Sequence, residues 1–178
     1  MADTYRVGII SDTHGKTLPE GVLGAFGGCD YILHAGDIGS VSVWHGQIIL
    51  DELGMIAPVT AVLGNSPGDL ADEYFTNTGK VAASISNLTI GGVRFFMTHS
   101  DDDLYHLKQQ VTLLSDEQPV PERVWIHGHT HRRKWLPETN SHTICPGAIH
   151  LPRDGNHPGV AVLTIEGAKV KDVAFIDL

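Results

Sequence analysis

Three short apolar runs constrain the fold more than any other feature: Arg6-Val7-Gly8-Ile9-Ile10, Tyr31-Ile32-Leu33-His34-Ala35 and Val59-Thr60-Ala61-Val62-Leu63. Each has the length of a strand and stops abruptly at a polar segment. The first runs into Ser11-Asp12-Thr13-His14-Gly15, the second into Gly36-Asp37-Ile38-Gly39, the third into Gly64-Asn65-Ser66-Pro67-Gly68-Asp69. A helix is expected after Gly15, with Pro19 near its first turn, Val22, Leu23 and Phe26 on one face, and Gly27-Gly28 closing it. A second is expected from Val41 to Leu53, capped by Ser40 or Ser42 and stopped by Gly54. This alternation describes a parallel βαβαβ half with right-handed crossovers. Open sheets of that kind gather their functional groups beyond the carboxyl ends of the strands.

The middle of the chain changes character. Val81 to Ser86, Leu88 to Ile90 and Val93 to Thr98 are separated by Asn87 and by Gly91-Gly92, which read as hairpin signals and predict a run of antiparallel strands. The last of these delivers His99. Asp101 to Leu114 follows as a helix, with Leu104, Leu107, Val111 and Leu114 at three- and four-residue spacing and acidic residues in its first turn. Val124-Trp125-Ile126 then leads into His127-Gly128-His129-Thr130-His131. Arg133 to Leu136 and His142 to Cys145 read as strands around a polar turn, and Val160 to Ile165 pairs with Lys169 to Ile176 as a terminal hairpin. The fold class expected is α/β: two mixed sheets packed face to face with helices outside.

A length of 178 residues suits one domain, 1–178, with a substantial core. The apolar runs are strand-sized, and the first residues lack the basic start and apolar core of a signal peptide, so a cytoplasmic location and no membrane contact are expected. Cys29 and Cys145 have no companions and read as free thiols. A net charge of −9 argues against extended nucleic-acid contact, which calls for a basic face. An anionic substrate would therefore need a local positive centre. Eleven histidines are many for this length and hint that a metal supplies it.

The residues that end strands are Asp12, His14, Asp37, Asn65, His99, His129 and His131. Singly, each reads as well as a turn, cap or polar terminus. Together they make a hard-to-borderline oxygen and nitrogen donor set. The lack of thiolates points away from structural zinc and toward Mn²⁺, Fe, Ni²⁺, Co²⁺ or catalytic Zn²⁺, with Mn²⁺ favoured.

In order and approximate spacing, Asp12-x-His14, Gly36-Asp37, Gly64-Asn65, His99 and Gly128-His129-x-His131 resemble the motifs of the calcineurin-like metallophosphoesterases. Pro146-Gly147-Ala148 and the lack of His after Asn65 resemble the small prokaryotic, YfcE-like phosphodiesterase branch. The resemblance implies a four-layer α-β-β-α sandwich. It also implies two divalent metal ions, one held by Asp12, His14, Asp37 and His131, the other by Asp37, Asn65, His99 and His129, with Asp37 bridging. The implied chemistry is phosphodiester hydrolysis on a small molecule or nucleotide, by in-line attack of a hydroxide shared between metals about 3.5–4 Å apart. Asp37, Asn65 and His99 would be catalytic through the metals and phosphate positioning. Such a site would carry about +1 in net charge, which matches a phosphodiester monoanion.

The sequence departs from that pattern at two places. Ser66 stands where much of the superfamily has a histidine that assists the leaving group, and Asp69 is the nearest stand-in; Ser100-Asp101 replaces a Gly-His. Trp125, His34 and His127 read as core or supporting residues, His45, His106 and His142 as surface or structural, and Arg153 as a solvated loop residue able to grip a phosphate. A phosphomonoesterase with the same site is the second reading. A non-catalytic scaffold, like the relative found in the retromer complex, is the third. The substrate and oligomeric state are left open.

Overall fold

The computed structural model of the protein describes residues 3–40, 43–70, 81, 83–114 and 120–178. The chain runs β1 (Thr4–Ile10), α1 (Gly21–Phe26), β2 (Tyr31–His34), α2 (Val43–Gly54), β3 (Val59–Ala61), α3 (Pro67–Leu70), β4 (Ile85–Ile90) and β5 (Val93–Thr98). It continues through α4 (Asp101–Leu114), β6 (Arg123–Ile126), β7 (Arg133–Glu138), β8 (Ser141–Pro146), β9 (Gly159–Glu166) and β10 (Lys169–Asp177). Two five-stranded sheets result, ordered β10-β9-β1-β2-β3 and β4-β5-β6-β8-β7.

In the first sheet β1, β2 and β3 are parallel, with Ile9 opposite Leu33 and Leu33 opposite Thr60, while β9 returns antiparallel against the free edge of β1. In the second, β5, β6 and β8 are parallel and β4 and β7 are antiparallel edges. Both sheets are mixed, as expected.

The apolar runs are continuous because both faces of their strands are covered. Ile10 and Ile32 pack under α1 and α2 with Phe26, Ile49, Leu50 and Leu53. The alternate residues, Val7, Ile9 and Leu33, meet Phe95, Met97, Val124 and Ile126 between the sheets. On the far side Phe96 and Trp125, stacked at 4.5 Å, receive Leu104 of α4. The order is therefore helix, sheet, sheet, helix. Each large aliphatic side chain so buried contributes about 1.5–3 kcal/mol of transfer free energy.

Several local expectations give way. Asn87 does not break a strand: β4 passes straight through it, pairing Asn87 with Phe96, and the chain reverses at Gly91-Gly92, both at positive φ. The buried face of α1 is Val22, Ala25 and Phe26, with Leu23 turned to solvent, because a six-residue helix lying on the sheet presents only one narrow stripe. Pro67–Leu70 is a helical turn rather than loop. The start of the second helix, expected at Val41 with a cap at Ser42, falls outside the described residues. Ser100 caps α4: its hydroxyl accepts the Asp103 N–H at 3.0 Å and donates to the Asp103 carboxylate at 2.7 Å. That accounts for its place after His99. No helix among the described residues is long and apolar enough to cross a membrane.

Candidate metal centre

The carboxyl ends of β1 and β2, the loop that follows β3, and the loops after β5 and β6 converge at one rim of the sandwich. Asp12 and His14 follow β1, Asp37 follows β2, and Asn65 lies in the loop before α3. From the other sheet, His99 follows β5, and His129 and His131 follow β6. All seven expected residues thus lie at one end of the two sheets. Among the described residues, two groups bring their donor atoms within 4.8 Å of one another: Asp12, His14 and His131, and Asp12, Asp37 and His99. His129 meets His99 edge to face at 5.2 Å, and Asn65 and His129 line the same pocket as His14, Asp37 and His131. Asp12 rather than Asp37 is common to both tight groups of acids and histidines, and His129 stands outside them.

The donor atoms lie close together. His131 Nε2 lies 3.2 Å from Asp12 Oδ1, His99 Nε2 3.4 Å from Asp37 Oδ2, and His14 Nε2 3.5 Å from the same oxygen. Asp12 Oδ1 and His99 Nε2 are buried yet receive no well-aligned hydrogen bond. Buried polar atoms left in that state are rare and costly unless something else binds them. Divalent cations fit the donor set.

Supporting bonds aim the donors. The Ala35 carbonyl accepts from His99 Nδ1 at 2.8 Å, and the Leu151 carbonyl from His131 Nδ1 at 2.8 Å, which assigns each free Nε2 lone pair to the centre. The Ser11 hydroxyl donates to Asp12 Oδ2 at 2.6 Å and the Ser66 N–H to Asp37 Oδ1 at 2.7 Å. Burial works to raise the Asp37 carboxyl. In the metal-free protein a protonated His99 beside it, the Ser66 N–H and His14 outweigh that burial and hold the carboxyl at about 2.

The backbone is unusual here. Asp12, His14, Asp37, His129 and His131 all have φ between 47° and 62°. Asp and His tolerate this left-handed region better than most residues, and clusters of such conformations mark functional sites. Two glycines let the loops close in. A Cβ on Gly128 would strike the Ser11 hydroxyl and come within 2.8 Å of the Ala35 carbonyl and 2.9 Å of Asp12 Oδ2, and one on Gly64 would collide with Asp37.

One support, Asp69, was not foreseen from the sequence; His34 was expected as core or supporting and is so. Asp69 is fully buried and its carboxylate accepts N–H groups from Ile38 at 3.0 Å, Gly39 at 2.7 Å and Gly64 at 2.8 Å, pinning the Asp37 and Asn65 loops together. Burial pushes its carboxyl up against the pull of those donors. Placed as a staple, it is not exposed to a leaving group. His34 is also fully buried. Its Nε2 lies 3.0 Å from the Thr13 hydroxyl, which donates onward to the Ile38 carbonyl at 2.9 Å. Burial drives its pKa down to about 3, so it is neutral at any ordinary pH. His127 is buried with Nδ1 3.0 Å from the Gly128 carbonyl and belongs to neither donor group. Cys145 backs the same loop, its thiol pushed up to about 11 by burial.

Comparison with known proteins decides the family. The model of the calcineurin-like phosphoesterase superfamily domain matches residues 5–168. The chain belongs to this family. A probable metallophosphoesterase of Methanothermobacter thermautotrophicus is 32% identical over 168 residues, covering 92% of this chain and 88% of that one. An archaeal phosphodiesterase of solved structure superposes with a TM-score of 0.65 at 22% identity, covering 96% of this chain and 99% of its own. Vacuolar Protein Sorting 29 of Cryptosporidium parvum superposes with a TM-score of 0.69 at 18% identity over 97% of both chains. Those two likenesses establish the fold. Calcineurin-like phosphoesterases use divalent metals, and this member carries candidate residues to bind them.

Proposed function

We propose that the protein is a phosphodiesterase dependent on two divalent metal ions, Mn²⁺ favoured. Asp12, His14, Asp37 and His131 would hold one ion, and Asp37, Asn65, His99 and His129 the other. The observation that carries this reading is the pair of buried, unsatisfied donors, Asp12 Oδ1 and His99 Nε2, at the meeting point of loops from both sheets. When bound, the ions supply a nucleophilic water at neutral pH and neutralise phosphoryl oxygens.

The chain's own contribution is charge and geometry. Asp12 and Asp37 bring two negative charges, whereas Asn65 and the imidazoles add donors without adding charge. That balance leaves room for a phosphodiester monoanion in a protein whose net charge is −9. Fixed Nδ1 bonds on His99 and His131 keep their donor atoms preoriented, so little reorganisation is needed when substrate arrives. Proton delivery to the leaving group is not provided by Asp69, which is committed to three backbone N–H groups. Substrates whose leaving groups depart unprotonated should therefore be favoured. The archaeal structural neighbour that is described as a phosphodiesterase supports the diester choice over a monoester.

The test is metal analysis of the purified protein together with hydrolysis of an aryl phosphodiester and an aryl phosphomonoester, with and without Mn²⁺, for wild type and Asp37→Asn. Two metals per chain, faster diester hydrolysis and a loss of about a hundredfold or more in the variant are expected. A protein without bound divalent metal, or a fully active variant, would refute the mechanism. A non-catalytic scaffold role, the alternative raised by the fold it shares with Vacuolar Protein Sorting 29, predicts instead that metal-supplied wild type hydrolyses neither ester.

A further inference from the structure

We infer that the substrate carries a second anionic group besides the scissile phosphoester, and that Lys16 and Arg153 are the side chains that hold it. The inference rests on the phosphodiesterase reading and narrows its substrate class. A cavity of about 510 Å³ opens over the donor cluster, walled by Lys16, Ser40, Ser66, His150, Leu151 and Arg153 together with the proposed ligands. Sites of this size accommodate a whole small molecule rather than a bare phosphate group.

The charge of this wall is opposite to that of the chain. Acids outnumber lysines and arginines by 21 to 12, yet Asp37, a proposed ligand, is the single acid lining the cavity among the described residues. Two of the twelve cations lie in the wall. Two other cations are paired with acids, Arg133 with Asp177 and Lys169 with Glu122. Neither Lys16 nor Arg153 has a carboxylate partner among the described residues.

Both are tied to the ligand loops, so their positions are fixed at the backbone even where the side chains reach into solvent. The Lys16 N–H donates to the Thr13 carbonyl at 2.9 Å, in the turn that carries His14. The Arg153 N–H donates to the His131 carbonyl at 2.9 Å.

The two carboxylates and the metals already match a phosphodiester monoanion. Two further positive charges facing the same cavity exceed what that group needs. A second phosphate on the organic part of the substrate accounts for them, with the guanidinium of Arg153 suited to a two-pronged hold and the ammonium of Lys16 acting as a point charge.

The matched probes are the p-nitrophenyl ester of thymidine 5′-phosphate and the same ester bearing an added 3′-phosphate, so base, sugar and leaving group cancel. The metal-loaded wild type should favour the 3′-phosphorylated ester by about tenfold in kcat/KM, the effect of two solvent-screened charge pairs. The preference should shrink as salt is raised. In the double variant Lys16→Gln, Arg153→Gln the ratio should fall to within about twofold of unity. Lys171→Gln removes a charge on β10 instead and should keep the preference, which separates a local effect from a change in net charge. A wild-type ratio near unity, or a double variant that retains the preference, overturns the inference. If neither ester is hydrolysed, the phosphodiesterase reading fails, and calorimetric binding decides the cationic wall separately. Tighter binding of thymidine 3′,5′-bisphosphate than of thymidine 5′-monophosphate, lost in the double variant, supports it; equal binding of the two overturns it.

Discussion

Lowering the pH should destabilise the metal-free protein through one residue in particular, His34. Its ring is fully buried, Nε2 is committed to Thr13, and Nδ1 has no partner, so a second proton would have no acceptor. In the unfolded chain the same imidazole titrates near 6.5, whereas burial lowers the folded value to about 3. Below pH 6.5 the unfolded chain therefore takes up a proton that the folded one refuses, and stability declines until about pH 3, where the folded state begins to accept it. Each pH unit inside that window costs about 1.4 kcal/mol. Between pH 7.5 and 5 the loss from this one group comes to about 2 kcal/mol. His34→Gln keeps a donor for Thr13 and removes the titration. Urea unfolding of wild type and variant, both in chelator, gives a stability difference from which all other groups cancel. That difference should move by about 2 kcal/mol toward the variant on going from pH 7.5 to 5. A difference constant to within about 0.5 kcal/mol would refute the picture of a neutral, sealed His34.

Two more outcomes follow from local contacts. Gly128→Ala must push a methyl group against Ser11, Ala35 and Asp12, so it should cost about 1–3 kcal/mol and weaken metal binding at least about tenfold by calorimetric titration, because Asp12 is displaced. Glu122→Gln removes the charge that pairs with Lys169 at 2.9 Å and meets His142 Nε2 at 2.9 Å, while leaving an acceptor for the Val170 N–H. Burial opposes ionisation of Glu122, but the Val170 N–H, Lys169 and His142 hold its carboxyl below the usual range. Its stabilisation is therefore present above about pH 4.5 and lost as pH falls through the folded value. Wild type should exceed the variant by about 1–2 kcal/mol at pH 7, a gap that closes toward pH 3 in urea titrations.

How much of this was readable beforehand depended on whether the signal was local. The strand ends were legible because an apolar run that stops at Asp12, Asp37 or Asn65 records a change from apolar sheet to polar loop within two residues. Gly128 and Gly64 were likewise visible as places without a Cβ. Asp69 was not, since an aspartate beside Gly68 looks like a turn residue until N–H groups of Ile38 and Gly39, some thirty residues away, are seen to converge on it with that of Gly64. The same holds for Glu122, whose partners Lys169 and Val170 lie almost fifty residues away. Leu23 was misassigned because periodicity gives a face but not its width, and Asn87 because a polar residue on an exposed strand position looks like a break. The left-handed backbone at five proposed ligands has no signature in residue type beyond its tolerance by Asp and His.

The division of the donors between sheets bears on the order in which the protein assembles during synthesis. Asp12, His14, Asp37 and Asn65 emerge early, but His99 follows only with β5, and His129 and His131 only with β6, of the second sheet. The open edge of β1 stays unpaired until β9 returns from the far end of the chain. A ribosome-bound fragment shorter than about 131 residues lacks at least one of the proposed ligands and the strand that pairs with that edge of β1. Metal loading is thereby deferred to a nearly complete chain, and a protein truncated before β9 would forfeit the centre by losing the edge that seats its first loop.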